Sequence, residues 1–407
     1  MPPFLRALGS RNYRLYFVGQ LVSMAGTWMQ QIAMIWLAYR LSNSAFVLGT
    51  VGFASQIPIL IFASLGGVWL DRLDRRRVMM WTQTLAMAQA LVLAVLAWLE
   101  WVSPGILILM AFLLGCINAV DVPARQAIAA RLVDRPEDLP NAIALNSFLM
   151  NAGRFVGPAL AGFVVAMLGE ALCFLLNAGS YLAVLLALGA MRMSFQGGRP
   201  SPAFEALREG YRYAIGQPAI RRSLLLVSAI SFFATPYAVM LPLYAREIFG
   251  GDASTYGLLV ASAGAGSLAG SLFLATREDT QRLGHWVSLA APAVGACLAL
   301  FAHTPEQWLA YPVLTALGLS VIVTIAGSNT LIQTQVDEAF RGRVMSIFST
   351  AFLGIAPLGS LAVGSLAHAV GIRPTLTACG LAALAAGALY RRAVMAQRRQ
   401  EAARAQP

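Results

Sequence analysis

Long uninterrupted apolar stretches are the feature that most constrains the fold of this chain. About a dozen stretches of roughly 20 residues follow one another, and each is long enough to cross a bilayer as a helix. Of the 407 residues, 58% are hydrophobic and 12% are charged, which is more apolar surface than a water-soluble domain of this size buries. The stretches do not alternate apolar and polar residues as the strands of a membrane barrel do. The sequence therefore predicts an all-α membrane protein.

The basic residues predict the orientation of these helices. All 29 are arginines, and nearly all lie in every second loop, which is typical of loops on the cytoplasmic side. Arg40, Arg246 and Arg373 occupy the opposite loops, and Arg154 lies within a span. We expect a multi-pass protein of a bacterial inner membrane with both termini in the cytoplasm. The twelve predicted spans are 15–39, 46–70, 78–99, 104–124, 141–168, 171–191, 223–249, 255–275, 286–303, 308–332, 344–369 and 374–391.

Residue types exclude several functions. The absence of lysine excludes a P-loop ATPase and Schiff-base chemistry. The four cysteines are scattered singly, and the three histidines lie far apart without an H-E-x-x-H pattern, so no metal site, cofactor or enzyme activity is predicted. Excess arginine can indicate nucleic acid binding, but here it follows the loops, and we predict no nucleic acid partner. The expected partners are a small-molecule substrate and membrane lipids, with the protein a monomer.

The longest loop divides the predicted spans into six and six. It contains an amphipathic segment whose apolar residues share one helical face, which predicts a helix lying on the inner membrane surface. Those residues are Phe204, Leu207, Tyr211 and Ile215. The predicted organisation is an N-terminal six-helix bundle at 1–191, a cytoplasmic linker at 192–222, a C-terminal six-helix bundle at 223–391 and a basic cytoplasmic tail at 392–407.

A weak internal repeat relates the two halves. "GPALAGFVVAMLG" at 157–169 aligns with "GSLAVGSLAHAVG" at 359–371, and three glycines coincide at a constant offset. Chance similarity between glycine- and alanine-rich helices is the alternative explanation. Two similar six-span halves are typical of a transporter in which one half moves against the other around a central site.

The segment "GGVWLDRLDRRR" at 66–77 places an aspartate where a membrane helix ends. Asp71 lies at the negative end of its own helix dipole, an unfavourable position that suggests a partner elsewhere. The N-terminus of span 11, near Ser346, is expected on the same membrane surface, and Gly67 would let the two helices approach closely. We interpret Asp71 as the cap of that helix and expect Arg75 to pair with Asp121 of span 4. A cluster that only sets the topology is the alternative.

The same segment resembles motif A of the major facilitator superfamily, G-x-x-x-D-R-x-G-R-R. The matching residues are Gly67, Asp71, Arg72, Arg75 and Arg76, with Asp74 in place of the second glycine. The resemblance implies the major facilitator fold, in which twelve transmembrane helices form two pseudo-symmetric six-helix bundles. It also implies a gating role for these residues together with Asp121.

A second segment, "GRFVGPALAG" in span 5, carries small residues along one helical face. Such a face packs closely against another helix, and Ser262, Gly266 and Gly270 of span 8 offer a face with the same spacing. The segment resembles motif C of the drug-antiporter branch, which implies an exporter. Generic helix packing is the alternative. The matching residues are Gly153, Gly157, Pro158 and Gly162.

Longer segments resemble the subfamily that contains the enterobactin exporter and macrolide-efflux proteins. They include "GTWMQQIAMIWLAYRLSNSAFVLGTVGFASQIP" and "DVPARQAIAARLV". This resemblance implies a secondary transporter that exports a drug, a macrolide-like compound or a siderophore by alternating access in exchange for protons. Proton coupling is implied by the resemblance alone, although Asp121, the deepest acid, could serve it. The alternatives are a nutrient importer of the same fold, a membrane-embedded enzyme and a permease subunit for a separate ATPase.

Polar residues within spans predict where a substrate binds, because they are unfavourable in lipid. Hydrogen bonding between helices is the alternative role. Arg154 is expected about 20 Å along span 5, near the middle of the membrane, where its planar guanidinium could bind anionic or oxygen-rich groups. The predicted substrate cavity consists of Gln20, Thr27, Gln31, Asn151 and Arg154.

Overall fold

The computed structural model describes residues 3–70, 74–129, 132–191, 203–276 and 280–404. Within these ranges the chain is almost entirely helical and contains no strand. This is the expected outcome for a chain in lipid, because a helix satisfies all of its backbone hydrogen-bonding groups internally. The prediction of an all-α fold is confirmed.

Six long helices form the first half. A short 3₁₀ turn precedes the first of them, at Pro3–Gly9. The helices are α1 (Arg11–Ser42), α2 (Ala45–Leu70), α3 (Arg75–Trp98), α4 (Pro104–Ala129), α5 (Leu139–Leu168) and α6 (Glu170–Ala190).

The second half begins with a short surface helix and continues through helices that are interrupted in two places. Thr280–Ala302 and Gln307–Gln335 are unbroken, whereas predicted spans 7 and 11 are each built from two α-helices and intervening turns. The helices are α7 (Ala203–Gly216), α8 (Pro218–Ala229), α9 (Tyr237–Leu243), α10 (Ala253–Ala275), α11 (Thr280–Ala302), α12 (Gln307–Gln335), α13 (Arg341–Ser349), α14 (Ala356–Val370) and α15 (Ile372–Arg404).

Ten helical segments of the described chain are long and apolar enough to cross a membrane. The helices α1 and α5 lie outside that group although they contain 32 and 30 residues. In α1, glutamines such as Gln20, Gln30 and Gln31 lower the hydropathy, whereas in α5 several side chains before Ala152 lie outside the described residues. With these two, the long segments correspond one by one to the predicted spans. The last helix, α15, runs on to Arg404 instead of ending at 391.

Contacts divide the residues into two compact units. The first unit contains 1–43, 54–201 and 251–261, and the second contains 44–53, 202–250 and 262–407. The division does not fall at a single point of the chain, because the start of α2 packs with the second unit and the start of α10 packs with the first.

In the first unit, small residues let α1 pack closely against two neighbours. Gly26 lies against Asn177 and Ser180 of α6, and a Cβ atom at Gly157 of α5 would lie 2.5 Å from the Cβ of Trp28. An ion pair lies at the end of the contact between α1 and α6, where Arg40 Nε lies 3.0 Å from a carboxylate oxygen of Glu170. Close backbone approach is the main source of helix association where hydrophobic burial contributes little.

In the second unit, π-helical turns interrupt the helices of predicted spans 7 and 11. They cover Ile230–Ala234, Tyr244–Ile248 and Thr350–Gly354. The first precedes Pro236, which lacks the N–H that a regular helix needs, and the α-helix is interrupted there. The last changes the helix period between Ser346 and Gly354. Residues four apart, such as Ser346, Thr350 and Gly354, therefore do not stay on one face of this helix.

The linker contains the predicted surface helix, α7. Its side chains Tyr211 and Ile215 are exposed, as a face that lies on a membrane would be. The opposite side contacts α13 and the residue before it, Phe340. The Tyr213 ring stacks on Phe340 with 4.4 Å between ring centroids, and an Arg343 nitrogen lies 2.6 Å from a Glu209 oxygen.

The contact between α1 and α5 generates the first testable prediction. Gly157→Ala should lower the free energy of unfolding by about 1–3 kcal/mol, because even one methyl group overpacks the contact with Trp28. The thermal midpoint of the detergent-purified protein measures the effect. Gly179→Ala on α6 is the matched control, since its added methyl group meets no atom within 4 Å. Equal midpoints for the two variants would contradict the packing described here.

Candidate functional site

The centre of the first unit holds a buried ion pair on α4. Asp121 is 1% exposed, and its Oδ2 atom pairs with Nη2 of Arg125, one helical turn further along. An isolated charge at this depth would be very unfavourable, and a paired one is tolerated only when its remaining hydrogen-bonding groups are also satisfied. Spacing of four residues on one helix brings the two side chains together.

Helix α3 completes the surroundings of Asp121. Its Oδ1 atom accepts hydrogen bonds from Thr82 Oγ1 at 2.7 Å and from Gln83 Nε2 at 2.9 Å. The two carboxylate oxygens therefore have different partners: Oδ1 is held by neutral donors of α3, whereas Oδ2 is held by the guanidinium of α4. Protonation at Oδ2 removes the negative charge that Arg125 binds and therefore weakens the ion pair.

Beyond the ion pair, uncharged polar side chains continue through the interior of the first unit. Gln30 donates to Gln89 at 2.8 Å and accepts from Asn177 at 2.7 Å. The Tyr181 hydroxyl is hydrogen-bonded to Asn177 and Thr27. These residues hold α1, α3 and α6 together by interhelical hydrogen bonds, which are favourable where water is excluded.

The residues predicted to line a cavity occupy different surroundings. Gln20 is 1% exposed, so it lies inside the helix bundle and does not line an open cavity in this structure. Thr27 bonds to Tyr181, which matches the alternative role of interhelical bonding. Gln31 is partly exposed, and the side chain of Asn151 lies outside the described residues.

Arg154 is the charged residue of α5. Its guanidinium carbon lies 5.1 Å from the centroid of the Trp28 ring, within the range of a cation–π interaction. It is partly exposed and shares a helical face with Pro158 and Gly162, at four-residue spacing. The tryptophan thus supports one face of the guanidinium.

The structure describes part of motif A. Asp71 and Arg72 lie outside the described residues, as do the surroundings of Gly67 and the side chain of Arg75, so the cap on span 11 remains a prediction. Arg76 donates from Nε to the carbonyl oxygen of Leu188 at 2.8 Å and from Nη2 to that of Gly189 at 2.9 Å. It therefore binds the C-terminal end of α6, the negative end of that helix dipole.

Asp74 has a local structural role in the same segment. Its side chain accepts hydrogen bonds from the backbone N–H groups of Arg76 and Arg77 and so caps the N-terminus of α3. This role explains why Asp74 stands where motif A has a glycine, because an aspartate satisfies N–H groups that a glycine would leave unpaired.

The small face of motif C packs differently from the prediction. Gly153 and Gly157 contact Met24 and Trp28 of α1, not α10. The predicted partners on α10, Gly266 and Gly270, face Thr315 and Leu319 of α12 instead. Four-residue spacing of small residues shows that a helix can be approached closely, but many helices here share that spacing, so it does not specify the partner.

Helices α5 and α10 do meet, at one point within the first unit. A Cβ atom at Gly162 would lie 2.9 Å from the Cα atom of Gly257 and 2.9 Å from the carbonyl oxygen of Ala253. The second unit contains an equivalent crossing: a Cβ atom at Gly364 of α14 would lie 2.7 Å from the Cα atom of Gly49 and 2.8 Å from the Ala45 oxygen on α2. Gly162 and Gly364 are matched glycines of the internal repeat.

Comparison with known proteins assigns the family. Residues 5–406 match the family of transmembrane secretion effectors. The chain belongs to this family. A relative in Staphylococcus aureus (strain NCTC 8325 / PS 47), the staphyloferrin A transporter, is 26% identical over 378 residues, which cover 91% of this chain and 93% of the relative.

Two further relatives of this secretion effector are efflux proteins. The multidrug efflux pump Tap of Mycolicibacterium fortuitum is 24% identical over 92% of this chain and 93% of its own length. Macrolide efflux protein A of Streptococcus pyogenes is 22% identical over 89% of this chain and 91% of its own length. These relatives confirm the prediction of a small-molecule exporter of the major facilitator type.

Solved structures show the same fold. A POT family transporter bound to a thioalcohol-conjugated peptide has a TM-score of 0.74 at 12% identity, covering 93% of this chain and 95% of that one. An inward-facing, unoccupied bacterial homologue of the lysosomal transporter Spinster has a TM-score of 0.72 at 15% identity, covering 97% of each chain. At these identities the similarity concerns the fold alone.

Sequence reasoning identified Asp121 but missed most of its partners. The side chain of the expected partner, Arg75, lies outside the described residues, and the partners that the structure does describe are Arg125, Thr82 and Gln83. The signal for Arg125 was present, because an aspartate and an arginine four residues apart lie on one face of a helix. Thr82 and Gln83 gave no comparable signal, since their contact depends on how α3 packs against α4.

The buried pair generates a prediction about stability. Asp121→Asn or Arg125→Gln alone should lower the free energy of unfolding by roughly 3–5 kcal/mol, because each leaves an uncompensated buried charge. The double variant should be within about 1 kcal/mol of the wild type, since both charges are gone. Thermal unfolding of the purified proteins measures this. The control is Arg341→Gln, which removes an exposed ion pair with Glu338 and should leave the thermal midpoint unchanged. Additive losses of stability in the double variant would contradict the pairing of Asp121 with Arg125.

Proposed function

We propose that this secretion effector exports a small organic molecule across a bacterial inner membrane in exchange for protons, and that Asp121 carries the proton. Both termini lie in the cytoplasm, the protein works as a monomer, and it performs no chemical reaction on its substrate. The observation that carries the proposal is the buried ion pair of α4. A carboxylate within a membrane helix is unfavourable and marks an ion or proton pathway by default.

The arrangement supports proton binding at one defined atom. Oδ1 of Asp121 keeps its bonds to Thr82 and Gln83, while Oδ2 exchanges Arg125 for a proton. Uptake of a proton thus breaks an interaction within α4 and leaves the site with one more positive charge. Release restores the ion pair. A proton gradient biases a conformational equilibrium when the two states differ in a buried charge.

Inside-out membrane vesicles test the coupling. After respiration acidifies the vesicles, erythromycin, ethidium and an iron-free catecholate siderophore are added in turn, and a dye reports proton loss. We expect at least one compound to release protons from vesicles that contain the wild-type protein or Asp121→Glu. The double variant Asp121→Asn/Arg125→Gln, which lacks the unpaired buried charge, should release none. Proton release by the double variant at the wild-type rate would refute the role of Asp121.

We further propose that Arg154 contacts the substrate and favours anionic or oxygen-rich groups. Trp28 supports one face of the guanidinium, and the residue shares a face of α5 with Gly162, where α5 meets α10. The guanidinium forms two parallel hydrogen bonds with a planar pair of oxygens, which an ammonium group cannot do. This preference suits a siderophore or another acidic metabolite better than a cationic drug.

Binding measurements with Arg154 variants test the preference. Arg154→Gln should weaken binding of the catecholate siderophore about 10- to 100-fold, because a hydrogen bond to a charged group is lost. Arg154→Lys, which keeps the charge, should also weaken it, while ethidium binding should not fall in either variant. Arg246→Lys, an exposed arginine at the end of predicted span 7, is the matched control. Equal siderophore affinity in all of these proteins would make Arg154 a structural residue.

A further inference from the structure

A buried glutamine beside the ion pair has no partner within the described part of the chain. Gln20 is only 1% exposed. Neither the oxygen nor the nitrogen of its amide has a hydrogen bond to a described residue. Leaving a buried polar group unpaired is unfavourable, because its hydrogen bonds to water are lost and not replaced. On the same helix, Gln30 is equally buried and fully bonded to Gln89 and Asn177. This contrast indicates that the Gln20 amide finds its hydrogen-bonding partner in a state of the protein other than the one seen here.

The neighbours of Gln20 locate it beside Arg125. Tyr16 and Met24 lie one helical turn to either side of it on the same face of α1. Met24 accepts a contact from Arg125 Nη1, with 3.8 Å between nitrogen and sulfur. Tyr16 interacts electrostatically with both Asp121 and Arg125. Gln20, placed between them, therefore faces α4 at the level of the ion pair.

On the side that faces α1, Arg125 has hydrogen-bond donors that lack a strong acceptor. Its Nη2 atom is bonded to Asp121, its Nη1 atom has only the weakly accepting sulfur of Met24, and its Nε atom has no partner in the described structure. An amide oxygen is a much better acceptor than a thioether. One unpaired acceptor on α1 and unpaired donors on α4 thus face each other across the same helix contact.

We propose that Gln20 is the second acceptor for Arg125: when Asp121 takes up a proton, the guanidinium turns from the carboxyl group to the Gln20 amide oxygen. This inference rests on the proposed role of Asp121. The proton binds Oδ2 as Arg125 Nη2 leaves it, and Arg125 remains protonated throughout. When the proton departs, the guanidinium returns to the carboxylate. A buried cation without an acceptor is strongly unfavourable, so the Gln20 oxygen makes proton uptake possible at moderate pH.

The other groups around the pair do not titrate in the same pH range. The phenols of Tyr16 on α1 and Tyr181 on α6 face it, and a tyrosine loses its proton only near pH 10 or above. Helix α3 contributes the uncharged Thr82 and Gln83, and Arg154 of α5 stays charged at all relevant pH values. Between about pH 4 and pH 9, a change in protonation at this place therefore belongs to Asp121.

Infrared difference spectroscopy of the full-length protein in lipid nanodiscs measures that protonation without a substrate. The band of a protonated carboxyl group that appears as the pH falls is assigned to Asp121 by its absence in Asp121→Asn/Arg125→Gln. We expect Gln20→Met to shift the midpoint of this band to lower pH by about one unit, because the protonated state loses one hydrogen bond to a charged group. The thermal midpoint should stay the same or rise, since an unpaired amide has been removed.

Gln30→Met is the matched control. It removes an equally buried glutamine from the same helix and should lower the thermal midpoint without moving the pH midpoint. Gln20→Leu, a second apolar variant, should reproduce the shift of Gln20→Met. An Asp121 band whose pH midpoint is the same in the wild type and in both Gln20 variants would overturn the role of Gln20 alone. Absence of any Asp121 band between pH 4 and pH 9 would instead overturn the proposed function.

Discussion

The interior of the first unit depends on one interaction, the ion pair between Asp121 and Arg125. Because charges in lipid are unfavourable, α4 can hold them only if neighbouring helices supply polar groups and exclude lipid. Helix α3 supplies Thr82 and Gln83, and α1 presents Tyr16 and Gln20 towards the same place. Tyr16 and Gln20 thus account for part of the polar character of α1, whereas Gln30 bonds to Gln89 and Asn177.

A second constraint is the close approach of backbones. Lipid does not drive helices together as water does, so the contacts use glycine wherever two helices cross. Gly162 on Gly257 and Gly364 on Gly49 are examples of the same geometry, one in each unit. Each crossing allows the two helices to separate again without leaving a buried cavity between large side chains. That property suits a transporter whose cycle requires contacts of this kind to open.

The sequence predicted the fold more completely than the site. The long apolar stretches predicted most spans to within a few residues of the helices, as for 141–168 and α5 (Leu139–Leu168), whereas α15 continues to Arg404, beyond the predicted end at 391. Where the prediction failed, the reason was pairing between helices. Gly157 was expected to face α10 and packs on Trp28 of α1, and the pairing of Asp121 with Arg125 was not predicted. Hydropathy and spacing describe one helix at a time.

The sequence by itself determined that the chain crosses a membrane as helices, which of its residues are too polar for lipid, and which family it resembles. These properties follow from composition, period and local motifs, because each residue contributes to them independently of distant parts of the chain. Only the tertiary structure decided that Gln30 is fully bonded while Gln20 is not, although both are glutamines in the middle of the same helix. That difference depends on which side chains α3, α4 and α6 bring within hydrogen-bonding distance, and the packing of separate helices is not encoded in any local pattern.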